Sequence, residues 1–574
     1  MSSFLWKIGG EAGFGIMTIG YTFAQLAARH GYHTADYAEY PSLIRGGHNT
    51  YEVHFSSNKI RSSKRSIDIL VCLNKETYML HKKRLSKDSI VLYDKEMFPL
   101  ENPVGKALHI PIRETLQTNN APIVMMNTFA LGASLAAMNW PIEIYLSMIE
   151  TTFAGKDQSV IEMNEKMAKA GYDFVKNTYP EKILSIPFLD AKNEKVVLSG
   201  NDAFALGAVV GDCRLYSAYP MTPSSTILTT LAGWAEKNGM IVRHAEDEIS
   251  VINTALGGAF AGVRSAVGTS GGGFSLMVES ISFAGVAEIP IVIFMGQRPG
   301  PATGMPTWTE QGDLLFIVHA GHGEFPKIIL APGDVEEMYE MSAEAFNLAD
   351  IYQTPVIIIS DKHLSESHWS TGKMELQLIA QAYTITRGKI VEQIKDDEVY
   401  KRYKVTEDGV SPMLIPGQQG LFYQANSYEH LEDGHTTEDA KERIQQVDKR
   451  NKKTLTFLQN HFQMPKIYGD IDTADIVFIS WGSNKGVILD VMEILNNDSN
   501  HVALIHFSYI YPLDEKKVLP LLTKENKRYI LVENNSHGQF GKLLRQEIGV
   551  EIKEKLLKYD GRQIFVEEII EYLK

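Results

Sequence analysis

Four short stretches concentrate the residues able to do chemistry. SAYPMTPSS, residues 217–225, sets Thr222 between two prolines. Pro220 and Pro223 fix their own φ and each disfavours helix in the residue before it, which pins Met221 and Thr222 in an extended corner. Pro223 suits a first helical position, and Thr222 is a candidate cap for a helix carrying Ile227, Leu228, Leu231 and Trp234. Such a corner offers a hydroxyl and unpaired backbone N–H groups, a setting that favours an anion; an ordinary strand-to-helix turn carries the same signature. HAEDE, residues 244–248, puts carboxylates at the start of a second helix, where Asp247 and Glu248 also serve simply to oppose the helix dipole. His244 and Glu246 point the same way along a strand, but no third ligand accompanies them, so a metal site is not expected. TSGGG, residues 269–273, removes Cβ atoms where backbone passes close to a ligand or packs tightly on a sheet. GQRPGPATG, residues 296–304, places Arg298 in a loop, where a surface ion pair would account for it equally well.

The elements that must position these residues are legible as a repeat. From about 196 to 365, short apolar runs such as RLYSAYP, SAVGTS, PIVIFMG and PVIIIS alternate with helical patterns. That alternation predicts a parallel sheet covered by helices on both faces. Each chemical cluster then falls where a strand ends and a helix begins, so all four share the sheet edge at which such folds bind ligands. Before this region, residues 1–190 read as a second α/β unit opening on a strand, a glycine turn and an amphipathic helix. Its GGEAGFG spaces glycines as G-x-x-G-x-G, without the order of a dinucleotide fingerprint or the Lys-Ser/Thr of a P-loop, and is expected to be a structural turn. Residues 373–470 are more polar and end in a strongly charged helix, expected to be a solvated linker. A small α/β domain follows over 471–574.

Bulk properties set outer limits. A chain of 574 residues exceeds one core. Its net charge of −14 argues against nucleic-acid or anionic-membrane partners. No stretch is apolar for long enough to span a bilayer, and MSSFLWKIGG reads as a first strand, so a cytoplasmic protein is expected. Cys72 and Cys213, the only cysteines, exclude a disulfide framework and a four-thiolate cluster within the chain.

Three motifs in fixed order carry a family resemblance: GNDAFALGAVVGDCRLYSAYPMTPSS, VGTSGGGFSLMVESISFAGVAEIPIVIF and GQRPGPATGMPTWTEQGDL. Together they closely resemble the α subunit of 2-oxoacid:ferredoxin oxidoreductases. The N-terminal unit, with GGEAGFG and YPSLIRGGHN, looks like the γ domain of the same enzymes fused ahead of α, so the resemblance covers nearly the whole chain. The fusion is similar to the large subunit of the 2-oxoglutarate:ferredoxin type, which works with a smaller β subunit. The resemblance implies a multidomain α/β protein: a γ domain at 1–190, a doubly wound pyrimidine-binding domain for thiamine diphosphate at 195–372, a linker at 373–470, and a transketolase C-terminal-like domain at 471–574. It also implies a coenzyme shared with β, which would bring Mg²⁺ and the iron–sulfur cluster. The residues agree with that division: EDGVSPM and EDGHTTE lack the first glycine and the preceding strand of a Gly-Asp-Gly loop.

By the same resemblance, Glu248, or Glu246 as the alternative, is the acid beside the aminopyrimidine N1′, which must share its proton in an apolar place. Arg298 matches an arginine that meets the 2-oxoacid, through a planar fork suited to carboxylates, and Thr222 a threonine reaching the same group. Tyr219 and Pro220 shape that corner; Thr269, Ser270 and Gly271 lie beside the coenzyme; Arg45 is a candidate for a distal carboxylate or for coenzyme A. Trp308 stands where some relatives carry a basic residue, which leaves the 2-oxoacid open. The implied reaction converts 2-oxoglutarate, coenzyme A and oxidised ferredoxin to succinyl-CoA, CO₂ and reduced ferredoxin, a TCA-cycle step that is reversible in principle. Pyruvate or branched-chain 2-oxoacids are the alternative substrates, and a non-catalytic scaffold for β is the alternative of another class. A heterotetramer, a dimer of γα–β pairs, is expected.

Overall fold

The computed structural model describes residues 3–42, 46–182, 184–189, 195–391, 394, 399–418, 421–497 and 501–574. These form two compact units, the first comprising residues 1–198, 367–375 and 565–571. Its eight-stranded sheet is built around Ser3–Glu11, which pairs antiparallel with His48–Ser56 and parallel with Ile67–Cys72. Trp6, Phe23, Phe55 and Trp140 form the aromatic heart of its core, with Trp6 and Phe23 ring centroids 4.7 Å apart. Helix Met126–Met138, buried at every residue, packs on helix Gln158–Thr178. Only glycine permits that approach: a Cβ at Gly132 would stand 2.1 Å from the Ala168 carbonyl oxygen. GGEAGFG is the turn between strand and helix, with Gly13 and Gly15 at φ of 100° and 69°.

The second unit, residues 199–366, 376–564 and 572–574, holds the repeat. Its central sheet contains β1 (Leu215–Ala218), β2 (Ile241–His244), β3 (Ser265–Ser270), β4 (Ile291–Gln297), β5 (Ile328–Leu330), β6 (Pro355–Asp361) and β7 (Tyr509–Tyr511), in the order β7-β5-β6-β4-β3-β1-β2. β1 to β6 are parallel. β4 and β6 are buried at every residue, as strands of continuous apolar sequence must be when helices cover both faces. β7 comes from the C-terminal region and adds antiparallel to the edge at β5. The remaining C-terminal strands form a five-stranded sheet, four of them parallel.

The charged helix of the expected linker, Ala440–Asn460, departs from its reading as a solvated element. Lys449, Arg450 and Lys453 are buried. Lys449 and Lys453 reach the fully buried Glu288 at 2.5 and 2.6 Å, and Arg450 grips Glu429 through both guanidinium nitrogens. The charges face inward because acidic partners wait there. Among the described residues, no helix is long and apolar enough to cross a membrane.

Candidate functional site

Register places the chemical clusters side by side. Gly268 of β3 pairs with Ala218 of β1 and with Phe294 of β4, all parallel. The segments that follow these strands therefore leave one edge within two strand spacings, about 10 Å. From β1 the chain continues to β2 on one side, and from β3 to β4 on the other. The crevice between β1 and β3 is thus a topological switch point.

Arg298 and Thr222 meet there: Arg298 Nη1 donates to the Thr222 carbonyl oxygen at 2.8 Å. The corner differs from its expected capping role. Ser224 donates from its backbone N–H (2.9 Å) and its hydroxyl (2.8 Å) to the Met221 carbonyl, closing a turn over 221–224, and the helix starts at Ser225. Thr222 and Pro223 belong to that turn, so neither caps nor opens the helix. Tyr219 and Pro220 stand exposed at the rim, with Tyr219 and His244 ring centroids 6.2 Å apart.

The carboxylates of HAEDE divide by burial. Asp247 is the helix cap, accepting from the Ser250 N–H at 2.7 Å, and Glu246 is exposed. Glu248 is turned inward and only 4% exposed, and its Oε1 has no hydrogen-bond partner. Around it the glycines of TSGGG act differently from one another. A Cβ at Gly273 would stand 2.5 Å from Glu248 Oε1 and 2.1 Å from Thr269 Oγ1, so this glycine makes room for both side chains. A Cβ at Gly271 would stand 2.8 Å from Asp313 Oδ2, whereas one at Gly272 would meet only the Met221 methyl at 3.9 Å. Thr269 and Ser270 are fully buried, and the hydroxyls of Ser270, Ser217 and Tyr216 also lack partners. Several unpaired polar atoms beside one sheet edge are what a ligand-binding crevice leaves behind. Among the described residues, no group of three or more His, Cys, Asp or Glu could hold a metal ion. Arg45 lies outside the described residues.

Two family models match the chain: pyruvate flavodoxin/ferredoxin oxidoreductase, thiamine diphosphate-binding, over residues 206–449, and pyruvate ferredoxin/flavodoxin oxidoreductase over 5–174. A 2-oxoacid:ferredoxin oxidoreductase subunit alpha from Sulfolobus sp is 34% identical over 99% of this chain and 96% of its own length. The chain belongs to the 2-oxoacid:ferredoxin oxidoreductase family, as an α subunit. A 2-oxoglutarate oxidoreductase subunit KorA from Mycobacterium tuberculosis is 26% identical over 99% of this chain and 90% of the relative. The solved 2-oxoglutarate:ferredoxin oxidoreductase from Magnetococcus marinus, with 2-oxoglutarate, coenzyme A and succinyl-CoA bound, matches with a TM-score of 0.90 at 28% identity, covering 100% of this chain and 99% of that one.

In this oxidoreductase subunit, the TEQGDL end of the third motif does work that pattern reading did not assign. Gln311, fully buried, donates from its backbone to Asn534 O (2.7 Å) and from its side chain to Trp481 O (3.2 Å). Its own amide oxygen receives Asn484 Nδ2 (2.9 Å) and the Asn534 N–H (3.1 Å). The loop after β4 is thereby pinned to the C-terminal domain. Gln297, at the end of β4, fixes the same loop by accepting from the Asp313 N–H at 3.0 Å. Two carboxyls in this loop are displaced in pKa. Burial, opposed only in part by Arg298, pushes Asp313 up to about 6, and burial together with the Asp313 charge pushes Glu310 up to about 7. Burial lowers the Arg298 pKa, against the opposing pull of Asp313. For Gln311 the motif itself was the available signal, since its partners lie 170 or more positions along the chain.

Proposed function

We propose that this subunit holds the aminopyrimidine half of thiamine diphosphate and the carboxylate of 2-oxoglutarate, and that a β subunit completes the pocket with Mg²⁺, the iron–sulfur cluster and the route to ferredoxin. The observation that carries the reading is Glu248: a buried carboxyl whose Oε1 is unpartnered, beside the crevice at the switch point. When bound, thiamine diphosphate supplies an electron sink for decarboxylation of a 2-oxoacid. Glu248 holds a proton against the pyrimidine N1′ and shares it, and Glu246, out in solvent, cannot. The missing Cβ of Gly273 leaves that carboxyl its room beside Thr269. Arg298, steadied by the Thr222 carbonyl, presents its remaining N–H donors to a carboxylate without reorganising. Ser270 and Gly271 line the same crevice, and Tyr219 and Pro220 shape its rim.

The choice of 2-oxoglutarate, with coenzyme A as acyl acceptor, is supported by the relatives that carry that substrate in their names. Arg45 is the sequence candidate for the second carboxylate. Pyruvate and branched-chain 2-oxoacids are the alternatives, and a dimer of γα–β pairs is the proposed assembly. The test is turnover of the reconstituted complex on a panel of 2-oxoacids, for wild type and Glu248→Ala. The reading expects highest kcat/KM with 2-oxoglutarate and near-complete loss on substitution; undiminished turnover of Glu248→Ala would leave the chain a scaffold.

A further inference from the structure

We propose that Asn201 is a positioning residue for Arg298: it holds the corner at Thr222, whose carbonyl in turn holds the guanidinium. The inference rests on the assignment of Arg298 to the substrate carboxylate. Asn201 stands in GNDAFALG, the opening of the first motif, to which neither the sequence nor the crevice assigned a part. It is fully buried. Its Nδ2 donates to the Pro223 carbonyl oxygen at 2.6 Å and to Thr226 Oγ1 at 2.7 Å. A carbonyl only accepts, so the amide nitrogen must face it.

Three successive carbonyls of the corner are thereby engaged. Met221 O receives Ser224, Thr222 O receives Arg298 Nη1 at 2.8 Å, and Pro223 O receives Asn201. On another side, a Cβ at Gly296 would stand 2.8 Å from Pro223 Cγ, so β4 runs close against the proline ring two residues before it reaches Arg298. The corner is gripped between β4 and helix Gly200–Val210. That helix is a firm mount. Ser199 and Asp202 close a reciprocal cap around its first turn, and there is no room for a side chain at Gly200 against the Leu364 carbonyl or at Gly207 against Ser342. The Thr222 carbonyl and the Pro223 nitrogen and Cα share one rigid peptide plane, so a shift of Pro223 swings the acceptor on which Arg298 rests. Asn201 Oδ1, meanwhile, is buried without a partner. A stranded acceptor of that kind destabilises the fold, whereas a side chain serving the fold alone is expected to pair both ends of its amide. What the position retains is the donor.

The test uses the assembled α–β complex with 2-oxoglutarate as probe. Asn201→Ala should raise its KM about three- to tenfold, the weight of one hydrogen bond, while KM for coenzyme A stays at the wild-type value. Calorimetric titration of 2-oxoglutarate into complex free of thiamine diphosphate should show Kd weakened by the same factor, without turnover. Asn201→Ser, whose hydroxyl reaches less far, should fall between the two, and it carries the test if Asn201→Ala does not assemble. In an Arg298→Ala background, Asn201→Ala should change neither KM nor Kd, because its effect passes through the guanidinium. A purely structural asparagine would instead lower the thermal midpoint and leave KM and Kd per folded complex unmoved; that result, or losses that add in the double variant, would overturn the proposal. Arg298→Ala by itself separates the layers: an unmoved KM removes the carboxylate assignment, whereas a damaged KM with additive losses removes only the positioning by Asn201.

Discussion

Glu248 and Glu288 are both buried carboxylates of the second unit, and they are treated in opposite ways. Glu288 meets Lys449 and Lys453, and its backbone carbonyl receives Arg402 at 2.8 Å. Burial by itself raises its pKa, but the three cations outweigh that and hold it well below the ordinary carboxylate range. Glu248 is enclosed nearly as completely, yet its Oε1 meets no donor. A buried carboxylate met by cations inside the chain is a structural tie; an unpartnered carboxyl beside a crevice is a candidate for contact with a ligand. Burial alone does not tell the two carboxyls apart; what separates them is that cations meet Glu288, while Glu248 Oε1 faces the crevice without a donor.

The contrast breaks most sharply on activity. Glu248→Gln should lower turnover of the complex by about 10²–10⁴-fold, the usual weight of a placed acid–base group, with no fall in thermal midpoint. Glu288→Gln should do the reverse. Losing one partner strands two buried lysines, at a cost of about 3–5 kcal/mol, read as an earlier urea or thermal midpoint with turnover per folded complex retained. If both variants lose stability alike, the distinction between them is wrong. Gly271→Ala is expected to cost about 1–3 kcal/mol through overpacking, because its methyl would press on Asp313 Oδ2 at 2.8 Å, and to raise KM for the 2-oxoacid. The smallest effect is in acid. Because the Glu288 pKa is lowered in the folded chain, its contribution is present above the usual 4.5 and is lost as pH falls below that value. The stability of Glu288→Gln, followed by fluorescence between pH 6 and 3, should therefore decline less steeply than that of wild type.

The central sheet was legible because PIVIFMG and PVIIIS are short apolar runs between helical patterns, and β4 and β6 are buried throughout as such runs demand. The shared edge of Thr222, Glu248, Ser270 and Arg298 followed from the strand–helix alternation, because parallel strands all end at one edge. Glu246 and Glu248 were inseparable in sequence, since nothing local tells which faces inward; the helix begins at Glu248 and turns it under, while Asp247 takes the cap. The corner at Thr222 misled because a threonine before a proline is a sound capping signal, but Ser224 closes a turn first. The helix Ala440–Asn460 read as solvated because its counter-charge, Glu288, lies 161 residues away from Lys449. Gln311 was silent for the same reason: its amide partner Asn484 is 173 positions distant. Long-range polar pairing leaves no period in a sequence.

β7 has a consequence for how the chain is made. Tyr509 and Tyr511 complete a sheet whose sixth strand ends at Asp361, 150 residues earlier. At ordinary elongation rates that interval lasts on the order of ten seconds or more. Throughout it the backbone of Ile328–Leu330 stands at an open margin, a place where a nascent chain invites strands from its neighbours. A strand made long after the other six is the one that seals it.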